Sequence, residues 1–304
     1  MKIKLTNNIE EANLITHAGN FHADDIFATV LLSKITPNPI LCRVNNLNNP
    51  NIENAIVYDI GGGKFDHHQL YSEYRENGII KYSSIGLLWR EFGEEYIKTF
   101  TNEQVEMIKE TIDENLIKQI DAIDNGIFPN IEANYKVKTM SDIISMFNPS
   151  WNSKKTRNDA FIEALEFAEK IFDLEIEKVL SKIEAYHTVN KKINEMNGNI
   201  LILDEFMPFK DFIFESSNPN AKNIKFVIFP SVRDGYTIHT VPQSKIIREA
   251  RLYFPNDWCG LRDTELQKKT GINSAVFVHP DGFIASCLEK EDAILLATKA
   301  LFYR

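Results

Sequence analysis

Two imidazoles and a carboxylate fall on one short turn: His17, His22 and Asp24 stand at His-x4-His-x-Asp spacing within THAGNFHADD. Asp59 closes the apolar run AIVYDI, and the tripeptide Asp66-His67-His68 follows a glycine turn. Asp121 and Asp124 lie three apart, so they share a face of any helix built there. Imidazole mixed with carboxylate suits Mn²⁺, Zn²⁺ or Fe²⁺ better than Ca²⁺. Two divalent ions about 3.5–4 Å apart, joined by an anionic ligand, are a recurring device for cleaving phosphate esters. An aspartate on a rigid strand end suits the bridge, and Asp59 is placed for it. Each piece alone has a plain explanation: a loop His or Asp is usually solvated, and Asp24 with Asp25 favours a helix N-terminus through the macrodipole. The coincidence of several His/Asp groups at the mouth of one sheet points to a metal centre.

The elements around these residues are legible from periodicity. Asn13–Thr16 reads as a buried strand ending at His17, Asp24 opens a helix that stops before Pro37, and Ile40–Val44 and Ala55–Ile60 read as strands. Ser84 can cap a helix through Phe92, and a longer helix runs from Thr101 to the Asn125-Gly126 stop. Apolar strands and intervening helices of this kind imply an α/β fold with a mostly parallel sheet. Asn158 to about Met196 is a long amphipathic helical stretch. Beyond it, strands are expected at Asn199–Phe206, Lys225–Val232, Tyr236–Val241 and Ala275–His279, with helices at Arg262–Thr270 and Glu289–Phe302. The expected layout is a catalytic domain over 1–150, a helical connector over 151–197 and a smaller α+β substrate-binding domain over 198–304. The connector could equally serve as a homo-oligomer interface.

Composition excludes several classes. The 304 residues are 43% hydrophobic and 25% charged, ordinary for a globular chain. Formal net charge is −9, which is no broad electrostatic attractor for nucleic acid. Lys222–Lys269, however, holds nine basic and five acidic residues (9 − 5 = +4), leaving −13 for the remainder. Cys42, Cys259 and Cys287 form no close pair, against a disulfide framework or a thiolate zinc site. No signal-like apolar stretch opens the chain and no run reaches the ~18 apolar residues of a membrane span, so a cytoplasmic protein is expected. GGGK lacks the phosphate-loop pattern, and no HExxH occurs.

THAGNFHADD, VYDIGG, FDHHQ and IDAIDNG resemble, in that order, the motifs of the DHH phosphoesterase superfamily, and more closely those of the MYG1 family. FPNDWCGLRDTEL and SAVFVHPDGFI are similar to that family's C-terminal signatures, so the resemblance runs nearly end to end. It implies a DHH-type N-terminal domain and metal-dependent 3′–5′ exoribonuclease activity. It makes His17, His22, Asp24, Asp59, His67 and one Asp of IDAIDNG metal ligands, with His68 facing the scissile phosphate. Asp121 and Asp124 both remain open for the last ligand. The wider superfamily has Asp where His22 stands here, a change that shifts metal preference towards borderline ions. The superfamily's GGGH substrate signature is absent.

Substrate contacts are therefore expected from the locally basic second domain: Arg233, His239, Arg248, Arg262 and His279, with bidentate arginines suited to phosphate. Trp258 is either core or a stacking platform for a base. The leading expectation is a phosphodiesterase with two divalent ions, Mn²⁺ ahead of Mg²⁺ and Zn²⁺. It would use Asp59, His67 and His68 on the 3′ end of RNA or a short oligonucleotide. The alternatives are a small-molecule phosphoesterase or pyrophosphatase-like hydrolase, and a non-catalytic metal- or nucleotide-binding regulator.

Overall fold

The computed structural model describes residues 2–69, 73–76, 78–132 and 134–303. The chain divides into two compact units, Met1–Val179 and Leu180–Arg304. In the first, β1 (Lys4–Thr6), β2 (Leu14–His17), β3 (Ile40–Val44) and β4 (Ile56–Val57) form a wholly parallel sheet in the order β1-β3-β2-β4. The register pairs Leu14 with Ile56 and Ile15 with Val57. Extending it by two residues sets His17 level with Asp59 at the carboxyl end, where open parallel sheets place their ligands.

Helix α1 (Ala23–Ile35) is buried from Ala23 through Leu32, acidic residues included. A helix buried all round sits inside the unit rather than on it. The α2 helix spans Ser84–Lys98, not ending at Phe92 as expected, because Tyr96 and Ile97 continue its buried face. Tyr96 and Trp89 pack on Phe172, with centroids 5.0 and 5.8 Å away. The expected single helix from Thr101 is three pieces: α3 (Val105–Ile112), a π-helical turn at Asp113–Ile117, and α4 (Lys118–Asp124). The short α5 (Met140–Ser145) follows, capped by the Thr139 hydroxyl, which accepts from Asp142 N. Strand β4 is shorter than Ala55–Ile60. The chain leaves the ladder after Val57, with only a Tyr58–Phe65 bridge beyond it, and Asp59 adopts a left-handed φ of 58°.

Helix α6 (Arg157–Glu195) crosses the boundary between the units. The second unit holds β5 (Ile200–Ile202), α7 (Lys210–Glu215), β6 (Phe226–Pro230), β7 (Tyr236–Thr240), α8 (Asp263–Thr270), β8 (Ala275–Val278), β9 (Ile284–Cys287) and α9 (Lys290–Leu301). Its sheet runs β5-β6-β7-β9-β8; only the β5–β6 pair is parallel. Alternation along β6 explains its unbroken apolar sequence. Phe226 and Ile228 join a core with Leu266 and Leu296, while Val227 and Phe229 join another with Val189 and Phe212. Trp258 is packed in the first of these cores, which settles it as core and not a platform. Sequence reasoning missed β1, β9, α5 and α7, all too short to show a period. No helix among the described residues is long and apolar enough to cross a membrane.

Candidate metal centre

Strand β2 delivers His17, the turn after it delivers His22, and the first turn of α1 delivers Asp24 and Asp25. His22 N–H donates to Asp25 Oδ1 at 2.8 Å, which fixes the helix entry. His17 Nδ1 lies 2.9 Å from the Ala18 carbonyl, which accepts its hydrogen. That contact turns Nε2 towards Asp25 and Asp59, each 3.2 Å away. Burial opposes a charge on His17, yet the two carboxylates prevail and hold its pKa up to about 10.

Asp59 is held in its left-handed conformation by the turn that follows, where its N–H donates to the Phe65 carbonyl. Left-handed backbone is costly for a residue with a Cβ and concentrates at functional positions. The Ser84 hydroxyl donates to Asp59 Oδ1 at 3.0 Å and lies 3.2 Å from His67 Nδ1. His67 Nδ1 also stands 3.4 Å from Asp59, and its Nε2 stands 2.9 Å from Asp124 Oδ2. Burial would raise Asp124, but His67 outweighs it and draws the carboxyl below its ordinary range.

The glycine turn has a specific task. Gly61 and Gly62 take φ of 86° and 73°, and Gly62 N–H donates to Asp66 Oδ2 at 2.7 Å. Asp66 Oδ1 accepts from His68 N–H at 3.0 Å and lies 2.9 Å from His68 Nδ1. Against its own burial, these donors bring Asp66 down to about 2. The Asp66 carboxylate in turn raises His68, with burial opposing. Asp66 thus orients His68, which is largely exposed.

Three groupings have ligand atoms within 4.8 Å of one another: His17-Asp25-Asp59, Asp59-His67-His68 and His22-Asp24-Asp124. Asp59 belongs to two of them. Asp24 supplies the test of whether a cation fits. Both of its oxygens are buried with no hydrogen-bond partner among the described residues. Burial, then the charges of Asp59, Asp124 and Asp25, push its carboxyl well above the ordinary range. A buried anion among anions needs a cation, and imidazole with carboxylate is the donor set for a borderline or hard divalent ion. The residues fit a metal.

Asp121 is placed elsewhere. It is fully buried, accepts from Arg75 Nε at 2.7 Å, and accepts from both the backbone N–H and the hydroxyl of Ser83. Burial raises it to about 6 against those donors. Arg75 is further clamped by Asp113, at 2.5 and 2.9 Å. Of the two open candidates, Asp124 is the one that groups with the other candidate residues among the described ones. Sequence reasoning passed over Asp25, taken as a helix-dipole residue beside Asp24. It also missed Ser84 and Arg75, for which the sequence carries no local signal.

A cavity of about 600 Å³ opens on these groups, lined by His22, His67, His68, Gln69, Lys81, Asp124, Asn125, Ser141 and Ser145. In the second unit, His239 and Arg248 line a separate cavity of about 430 Å³ with Lys210, Tyr253, Asp281 and Phe283. Arg262 caps α8, with its guanidinium 5.5 Å from the Phe277 ring. His279 packs on Phe283 at 4.5 Å and accepts from Asp281 N–H. Arg233 is exposed in the turn between β6 and β7. The structure therefore joins His239 and Arg248 but not Arg233 or Arg262 at that cavity.

Residues 13–301 match the family model MYG1_exonuc, described as "Uncharacterised protein family (UPF0160)". The chain is 30% identical over 334 residues to the MYG1 protein of Saccharomyces cerevisiae, covering 99% of this chain and 98% of that one. It is 29% identical over 328 residues to the MYG1 protein of Dictyostelium discoideum, covering 96% and 97%. With the Homo sapiens MYG1 exonuclease it shares 27% identity over 328 residues, covering 95% and 85%. No solved structure matches.

Proposed function

The chain belongs to the MYG1 exonuclease family (UPF0160), and from that premise we propose that it is a metal-dependent phosphodiesterase removing nucleotides from the 3′ end of RNA or short oligonucleotides. The observation that carries the reading is Asp24: a fully buried carboxylate with no hydrogen-bond partner for either oxygen among the described residues, set among Asp25, Asp59, Asp124, His22 and His67. Relatives named exonuclease support cleavage from a chain end.

His17, His22, Asp24, Asp59, His67 and Asp124 would hold two divalent ions, Mn²⁺ first among them, with Asp59 shared and Asp25 orienting His17. The ions would supply acidification of a water and neutralisation of the charge that grows on the phosphoryl oxygens. The protein's own groups do the rest. Ser84 holds the Asp59 carboxylate and the Phe65 carbonyl holds its backbone N–H, so the side chain does not swing. Lys81, on the cavity wall, attracts the substrate phosphate. His68, whose pKa the Asp66 carboxylate raises, would donate a proton to the departing 3′ oxygen as the phosphorus–oxygen bond breaks and water adds to phosphorus. His239, Arg248 and His279 of the second unit, with Arg233 and Arg262, belong to the proposal as phosphate-binding groups of that unit.

The test strips the protein with chelator and restores Mn²⁺, Mg²⁺ or Zn²⁺ separately. Each form then receives 5′-labelled RNA, matched DNA or bis-p-nitrophenyl phosphate, beside an Asp59→Ala control. A metal-dependent ladder shortening from the 3′ end of RNA, lost in the variant, is expected. Turnover of the small diester alone would replace the nuclease with a small-molecule phosphoesterase.

A further inference from the structure

The segment from Gly126 to Arg157, ahead of and into the start of α6, is net basic, as Lys222–Lys269 is in the second unit. It carries Lys136, Lys138, Lys154, Lys155 and Arg157 against Glu132 and Asp142, a balance of 5 − 2 = +3 in a chain of net charge −9. It also displays large rings to solvent: Trp151 is 97% exposed, Tyr135 76% and Phe128 71%. Aromatic rings are a chain's largest apolar payload and are ordinarily covered. They alternate along the segment with lysines, and Ile131, Val137 and Met146 are exposed beside them.

This segment also walls the metal cavity. Asn125 at its start and Ser141 and Ser145 from α5 line the cavity together with His22, His67 and His68. Asn148 pins it down: Phe21 N–H donates to its Oδ1 at 3.0 Å, and its amide donates back to the Phe21 carbonyl at 2.8 Å. Phe21 immediately precedes His22. Phe128 lies three residues after Asn125 and Trp151 three after Asn148. A three-residue stretch spans at most ~11 Å, which keeps Phe128 within that reach of Asn125 on the cavity wall and Trp151 within that reach of Asn148, whose partner Phe21 precedes His22.

We propose that this segment is a track for single-stranded nucleic acid leaving the metal cavity, with Phe128 and Trp151 as stacking faces and Lys138 and Lys154 as phosphate contacts. The proposal rests on the nuclease reading and extends it from the reacting phosphate to the nucleotides beyond. Charge decides the occupant: a polyanion is drawn to a net-basic stretch that borders the metal cavity of a protein with net charge −9. Sequence-tolerant binding of single strands needs this combination of basic groove and ring faces. An aromatic platform also makes such a track indifferent to base identity, since every base has a π-face.

The experiment uses the full, metal-loaded chain and compares a short labelled oligouridylate with bis-p-nitrophenyl phosphate. In a Phe128→Ala/Trp151→Ala variant, KM for the oligonucleotide is expected to rise by roughly 5- to 150-fold per lost stack. The ratio of oligonucleotide to diester turnover falls accordingly. A Lys138→Glu/Lys154→Glu variant should flatten the salt dependence of oligonucleotide binding, by about 0.7 in slope per lost contact. Wild-type chain that cleaves the oligonucleotide, with both variants keeping its KM and salt slope, would overturn the track and leave the nuclease standing. Turnover of the diester with no oligonucleotide cleaved by the wild type would remove the nuclease reading itself, and the track with it. Loss of a concentration-dependent dimer in the aromatic variant, with oligonucleotide KM unchanged, would assign the face to a second copy and overturn the proposal.

Discussion

Asp121 and Asp124 stand one turn apart on α4, yet their carboxylates serve opposite partners: Asp121 meets Arg75 Nε at 2.7 Å, and Asp124 meets His67 Nε2 at 2.9 Å. The first is a buried structural pair and the second faces the cavity. Asp124→Asn should therefore cost metal-dependent activity more than the 10- to 100-fold (about 1.4–2.7 kcal/mol) typical of an outer partner, with little change in unfolding. Arg75→Met should do the reverse, stranding Asp121 and lowering stability by about 3–5 kcal/mol. Denaturant melts and metal-titrated turnover on the two variants separate the roles. Equal loss of activity with no loss of stability in Arg75→Met would show that Asp121 is a ligand.

Asp24 sets function against stability. In metal-free protein its burial among carboxylates is unfavourable, so Asp24→Asn should raise the melting temperature of the stripped chain. The same variant should lose the stabilisation that Mn²⁺ brings, which for wild type is about 2.7 kcal/mol at a hundredfold excess over Kd. Thermal melts with and without Mn²⁺ read both. A stripped Asp24→Asn protein that melts below wild type would contradict the burial argument.

Gly86 on α2 faces the Asp121 carboxylate, and a methyl group added there would collide with it. Asp121 cannot yield, being held by Arg75 and by Ser83. Helix propensity alone favours Gly→Ala by about 1 kcal/mol, whereas overpacking costs about 1–3 kcal/mol. The sign of the stability change in Gly86→Ala is thus the measurement, and a loss is expected.

His239 in the second unit is lowered below its ordinary pKa. Burial is the main cause and the nearby Lys210 adds to it, while the Thr240 carbonyl, 2.7 Å from Nδ1, opposes. A histidine lowered on folding binds fewer protons in the native state than in the unfolded one. Its contribution is therefore complete above the unfolded value of about 6.5 and is lost as pH falls through the folded value. An NMR titration of the ring should show a midpoint below that of a free histidine, and His239→Phe should flatten the acid-side fall in melting temperature. A midpoint above the free value would reverse the sign.

The legible part of this protein was whatever the chain writes locally. The spacing of His17, His22 and Asp24 on one turn, the DHH tripeptide and the apolar run before Asp59 place those residues at one sheet end without any long-range information. The period of α6 was visible for the same reason: it repeats for 39 residues. Long-range choices were hidden. Arg75 and Asp121 lie 46 residues apart, and nothing near either one announces the pair that occupies Asp121. Asp25 was read through its neighbour, since an Asp-Asp doublet at a helix start has a sufficient electrostatic reason to exist. The break at Asp113–Ile117 was hidden because IKETIDENLIKQI is good α-helical sequence throughout.

That π turn has an angular consequence. An α-helix winds about 100° per residue, so a wider turn in its middle resets the azimuth of everything downstream. Before it, Ile108 and Ile112 point inward; after it, Ile120 and Asp121 do. A chain one residue shorter in this stretch would still coil into a helix, with its greasy side intact over most of its length. Its two aspartates would nevertheless point to the wrong compass bearing, one missing its guanidinium and the other its imidazole. The tract is tuned in heading as well as in composition, and drift in its length is a mutation that a residue-by-residue comparison of side chains would pass over.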